Sequence, residues 1–174
     1  MRTRGEIAKE NFLAGCNCAQ AVLLAFSDMT GLDSDVAMRL ASSFGGGMGR
    51  LREVCGTVSA AMMVLGLVHG YDANSPDEPA EKKAHYARVQ ELARRFREEH
   101  GSIVCREILA RHAEKKQGEG SEDEQTRAML STDPTPTPRT PEYYSKRPCA
   151  ALVEFSADLL DAYLEELKQE SGNA

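Results

Sequence analysis

Apolar residues recur along this chain at helical spacing, and nowhere do they alternate long enough to predict a strand. Between Ile7 and Phe26 the apolar positions are Ala8, Phe12, Ala19, Val22, Leu23 and Phe26. Gly15 stands inside this run and either kinks the helix or splits it, with Asn17 capping the second piece. Thr30-Gly31 ends it. Asp33 or Ser34 caps a following helix with an inner face of Val36, Leu40, Ala41 and Phe44. The run Gly45-Gly46-Gly47-Met48-Gly49 breaks the pattern. Beyond it, Gly56 to Val68 is apolar nearly all round, which predicts a central, buried helix that stops at Gly70.

Residues 72–79 read as a turn-rich connection. An amphipathic helix from about Ala80 to Glu99 follows, with Val89, Leu92, Ala93 and Phe96 inward and a glycine cap at Gly101. Ser102 caps the next helix, which carries Ile103, Val104, Ile108 and Leu109. From Gln117 to Arg147 the periodicity lapses, and four of the seven prolines fall here. This predicts a flexible, partly extended surface loop at about 117–147, inside a single domain spanning 1–174. A last helix, from about Pro148 to Leu167, shows a stripe of Leu152, Leu159, Leu160, Tyr163, Leu164 and Leu167 that must dock on the main body. The fold class expected is therefore all-α: a single-domain bundle of five to seven helices around a buried central one.

Composition sharpens this. The chain has 174 residues, 22 of them alanine, the strongest helix former and small enough to let helices approach closely. A net charge of −6 argues against nucleic acid, whose partners carry a basic face, and against an anionic membrane. The longest apolar stretch, Val58 to Val68, is about half a membrane span. No apolar run follows Arg2 and Arg4, so no secretory signal is visible and a cytoplasmic location is expected.

Five cysteines stand at 16, 18, 55, 105 and 149. An odd number cannot pair fully within the chain, and without a secretion signal they read as redox thiols or metal ligands before structural staples. Free cysteines are also often plain buried hydrophobes. Their placement favours chemistry. Cys18 follows the Asn17 cap, Cys55 precedes the buried helix, Cys105 lies three residues past Ser102, and Cys149 follows Pro148. Helix starts present unpaired N–H groups and a partial positive charge, both of which favour thiolate over thiol. The pair Cys16-Asn17-Cys18 is weak as a bare pattern, and there is no C-x-x-C. Histidines are sparse: His69 closes the buried helix and is placed to reach a site, whereas His85, His100 and His112 read as solvent-facing. The glycine run is either a passive turn or a nest of N–H groups, with Gly45, Gly46 and Gly47 as candidate cofactor contacts beside Gly56. Its place, six residues before Cys55, favours a site wall. It fits no nucleotide-binding motif.

These residues together resemble a known family. Gly15-Cys16-Asn17-Cys18-Ala19-Gln20-Ala21-Val22, Phe44-Gly45-Gly46-Gly47-Met48-Gly49, Val54-Cys55-Gly56-Thr57-Val58-Ser59-Ala60, Cys105-Arg106-Glu107-Ile108-Leu109 and Cys149 are similar, in order and spacing, to the C-GCAxxG-C-C family. Its redox activity is inferred from four cysteines. The resemblance spans roughly Ala8 to Leu160 and places the family cysteines at Cys18, Cys55, Cys105 and Cys149, with Cys16 as an addition. Where the family motif has alanine and a final glycine, this chain has Thr57 and Ala60.

Three functions follow as expectations. In the first, Cys55 attacks a disulfide or oxidant, and Cys18, Cys105 or Cys149 resolves it; the partner is an unidentified redox protein or a small thiol or oxidant. In the second, the same four cysteines hold zinc or an iron–sulfur cluster. In the third, the chain is a helical interaction module with inert buried cysteines. A homo-oligomer is admissible under each, and turnover as an enzyme is not decided.

Overall fold

A computed structural model describes residues 2–117 and 124–172. Ten helices are present among them: α1 (Arg4–Leu13), α2 (Cys18–Leu24), α3 (Ser27–Thr30), α4 (Ser34–Ser42), α5 (Gly56–His69), α6 (Glu78–His100), α7 (Cys105–Gln117), α8 (Glu124–Leu130), α9 (Pro141–Lys146) and α10 (Cys149–Gly172). The fold is all-α. Six of these helices have nine residues or more, and four short ones raise the count above the expected five to seven. No described helix is long and apolar enough to cross a membrane.

Local chemistry explains the breaks. The run from residue 7 to 26 is split, and Asn17 takes over as N-cap: its side chain accepts from the amides of Ala19 and Gln20 while Gln20 reaches back to the Asn17 amide. Helix α5 is the buried one, with Gly56–Ala61, Val64 and Leu65 all inside, packed on α2, α10 and α6. Helix α10 lies along α1 and buries Leu152, Leu160, Tyr163, Leu164 and Leu167; Leu159 is half-buried.

Three expectations change. The inner face of α4 is Ala37 and Ala41, while Val36 and Leu40 are 52% and 47% exposed. Two small residues four apart let α4 lie close on α2, and this rotates the larger side chains outward. Helix α7 begins at Cys105, not at Ser102; the Ser102 hydroxyl accepts from the Val104 amide at 3.0 Å and stands outside the helix. Within 117–147 the chain forms α8 and α9 with an extended stretch between them, and Met129 is buried against Leu109 and Ala113. Residues 118–123, part of the same expected loop, lie outside the described residues.

Candidate functional site

Each of four cysteines stands at a helix start. Cys18, Cys105 and Cys149 are the first residues of α2, α7 and α10, and Cys55 is the N-cap of α5. All four line one cavity of about 290 Å³. Two of the starts are joined by backbone. Val54 and Val104 form an isolated antiparallel bridge; the Cys55 amide donates to the Ile103 carbonyl at 2.8 Å and the Cys105 amide to the Glu53 carbonyl at 2.6 Å.

Glycine permits the close approach. A Cβ at residue 56 would stand 2.7 Å from the Phe44 carbonyl oxygen and 3.3 Å from the Cys18 Cβ; one at residue 47 would stand 2.6 Å from the Cys105 Cβ. Gly45, Gly46, Gly47 and Gly56 all line the cavity, so the glycine run is one of its walls. Part of its backbone is closed on itself, since the amides of Met48, Arg50 and Glu53 donate to loop carbonyls. The loop is strained: Met48, Arg50 and Arg52 have φ of 59°, 69° and 62°, a region costly for residues with a Cβ. Sequence alone gave no sign of these three conformations, which turn the side chains of residues 50 and 52 toward the site.

The thiols are not equivalent. Cys55 and Cys105 are buried. Burial pushes the Cys55 thiol up, opposed by the Thr57 hydroxyl 3.3 Å from its sulfur. Thr57 is one of the two departures from the family motif, so the substitution supplies a hydrogen-bond partner to the thiol it follows. Burial pushes Cys105 up to about 12. Cys18 and Cys149, half-buried at the starts of α2 and α10, shift in opposite directions. Hydrogen bonding from the Cys18 thiol holds Cys149 below the ordinary thiol range, with help from the charges of Arg147, Arg139 and Arg52 and against the cost of burial. The same hydrogen bond, with burial, drives Cys18 up.

The remaining sequence candidates lie elsewhere. Cys16 does not line the cavity; its sulfur contacts that of Met38 at 4.0 Å. His69 closes α5 at the end opposite Cys55, roughly 20 Å away at 1.5 Å per residue, and its carbonyl accepts from Arg88. His85, His100 and His112 are half-buried, not solvent-facing; His100 lies between the rings of Phe96 and Phe155. Among the described residues no three His, Cys, Asp or Glu side chains gather as a metal-binding group. All four thiols, the donors expected for zinc or a cluster, line the one cavity.

Sequence reasoning missed the arginines and Tyr143. Arg50, Arg52, Arg139 and Arg147 line the same cavity, and Arg139 and Arg147 come from the proline-containing segment that reads as a surface loop. The Thr-Pro repeats and the Arg139 and Tyr143 neighbourhood were the available signal, but nothing in them points to a cysteine site.

Residues 16–163 match the family model described as "Putative redox-active protein (C_GCAxxG_C_C)". No curated protein and no solved structure matches the chain.

Proposed function

We propose that this chain, which belongs to the C-GCAxxG-C-C family, carries out thiol–disulfide exchange with Cys149 as nucleophile and Cys18 as resolving thiol. The observation that carries this reading is that Cys18 and Cys149 head α2 and α10 on the wall of one cavity, which Arg139 and Arg147 also line. A nucleophilic thiol needs thiolate character near neutral pH and a second thiol within reach. Cys149 has both. Cys55, the nucleophile expected from its helix start alone, is less suited because burial holds its proton.

The exchange runs as follows. The Cys149 thiolate attacks one sulfur of a substrate disulfide; the Cys149–substrate bond forms and the substrate S–S bond breaks. The thiolate that leaves takes a proton from water. Cys18 then gives up its proton to the second departing sulfur and attacks Cys149, closing a Cys18–Cys149 disulfide. Two electrons have moved from the protein to the substrate, which leaves as two thiols. Reduction by an external dithiol reverses the sequence.

The test is a thiol count on native protein before and after equilibration with oxidised and reduced dithiothreitol, with the disulfide mapped by mass spectrometry. A reversible loss of two thiols, mapped to Cys18 and Cys149, is expected. A fixed count of free thiols, or a pair that excludes Cys149, overturns the reading.

A further inference from the structure

The cavity beside the thiol pair has a charge character opposite to that of the chain. The protein carries a net −6, yet four arginines and no Asp or Glu line this space. Several arginines elsewhere find carboxylates: Arg4 pairs with Asp28, Arg94 with Glu91, and Arg95 with Glu166. None of the four cavity arginines forms an ion pair among the described residues. Arg50 reaches the Asp133 carbonyl at 2.6 Å and the Thr137 hydroxyl at 3.3 Å; Arg139 and Arg147 lie over the Tyr143 ring at 4.9 and 4.8 Å.

Arg52 is the decisive member. It is 3% exposed, and a buried guanidinium without a carboxylate is costly. Its Nε donates to the Ser131 carbonyl at 3.0 Å and its Nη1 to the Gly46 carbonyl at 3.4 Å, while Nη2 has no hydrogen-bond partner. The backbone at this residue is left-handed, so the chain bears strain as well as desolvation to hold a cation there. The neighbouring charges of Arg52 and Arg147 depress the affinity of Arg50 for its proton, though burial does so more. Four guanidinium charges meet only two opposite ones, the Cys149 thiolate and the Asp133 carboxylate near Arg50, so the excess favours an anion, and guanidinium groups match the oxygens of a carboxylate in a forked, two-point contact.

We infer that the cavity is an anion site, and that the disulfide exchanged at Cys149 belongs to a small acidic molecule, its carboxylate held by Arg52 and Arg147. The chemistry rests on the thiol–disulfide reading; the charge preference rests on the arginines alone. A cavity of about 290 Å³ is near the lower end of small-ligand sites, which suits a compact disulfide and not a folded protein's surface loop.

Three small disulfides of different charge test this: 3,3′-dithiodipropionate (anionic), 2-hydroxyethyl disulfide (neutral) and cystamine (cationic). Each rate of oxidation of the reduced native protein is divided by the rate with the chain unfolded in urea, which cancels the intrinsic reactivity of the reagent. The expected order is anionic, neutral, cationic, with the anionic reagent favoured over the neutral by about tenfold or more. Arg147→Gln and Arg52→Gln are each expected to reduce that ratio severalfold, and raised salt to shrink it in the unaltered protein. Suberate, which matches dithiodipropionate in length but has no disulfide, serves as a binding probe by calorimetry and as a competitive inhibitor. Equal normalised rates with all three reagents, and no suberate binding, overturn the anion site while leaving thiol exchange standing. Suberate binding lost in Arg147→Gln, without oxidation by any reagent, retains the anion site and overturns the exchange reading.

Discussion

Val54 and Val104 face each other across a single antiparallel bridge, and the residue after each is a cysteine that starts or caps a helix. The bridge therefore does what a sheet does elsewhere: it sets the register between two chain segments fifty residues apart. Once the register is set, the starts of α5 and α7 point at the same space, and their backbone amides at Cys55 and Cys105 are satisfied by carbonyls across the bridge. Cys18 joins them because Gly56 has no side chain to hold α2 away.

The division of labour among the cysteines predicts a mutational pattern. Cys149→Ser and Cys18→Ser are each expected to abolish the two-electron couple, whereas Cys55→Ser and Cys105→Ser retain it. Potentiometric titration against a dithiothreitol series reads this directly. Loss of the couple in Cys55→Ser, with the protein still folded by circular dichroism, would return the nucleophilic role to Cys55.

The opposite shifts of Cys18 and Cys149 predict a pH dependence. Hydrogen bonding from Cys18 and the three arginine charges favour the charged form of Cys149, so its thiolate persists to lower pH than in an unfolded chain. Alkylation of Cys149 by iodoacetamide should rise with pH through a midpoint below the free thiol value of about 8.5. Cys18→Ala removes the largest favourable influence and should move the midpoint upward. A midpoint at or above the free value in the unaltered protein would count against the assignment.

Two glycines of α5 should respond oppositely to alanine. At residue 56 the new Cβ meets the Phe44 carbonyl at 2.7 Å, and Gly56→Ala is expected to cost about 1–3 kcal/mol as the backbone shifts. At residue 66 nothing lies within 4 Å, and Gly66→Ala should stabilise by about 0.5–1 kcal/mol through the lower entropy of the unfolded chain. Urea denaturation midpoints of the two variants provide the comparison; the same sign for both would show that the close approach at Gly56 is not what it is taken to be.

The strained loop offers a gain. Met48 is partly exposed and left-handed, so Met48→Gly relieves a Cβ clash without emptying the core. A stabilisation of about 1 kcal/mol is expected, read as a rise in thermal midpoint. No change or a fall would mean that the Met48 side chain makes contacts worth as much as the strain.

Sequence by itself determined the long helices, though not α8 and α9, and put four cysteines at or next to helix starts. These depend on interactions a few residues long: Asn17 capping Ala19 and Gln20, Asp33 capping Asp35 and Val36, Pro148 before Cys149, and apolar faces at helical spacing. Tertiary structure alone decided that four thiols share one cavity, which arginines face them, and which side of α4 is inward. Arg52 meets Ser131 across 79 positions, and Arg139 meets Cys16 across 123. The state of a thiol depends on the charges and the depth of burial around it. Those are summed over segments distant in sequence, so no local pattern distinguishes the depressed Cys149 from the elevated Cys105.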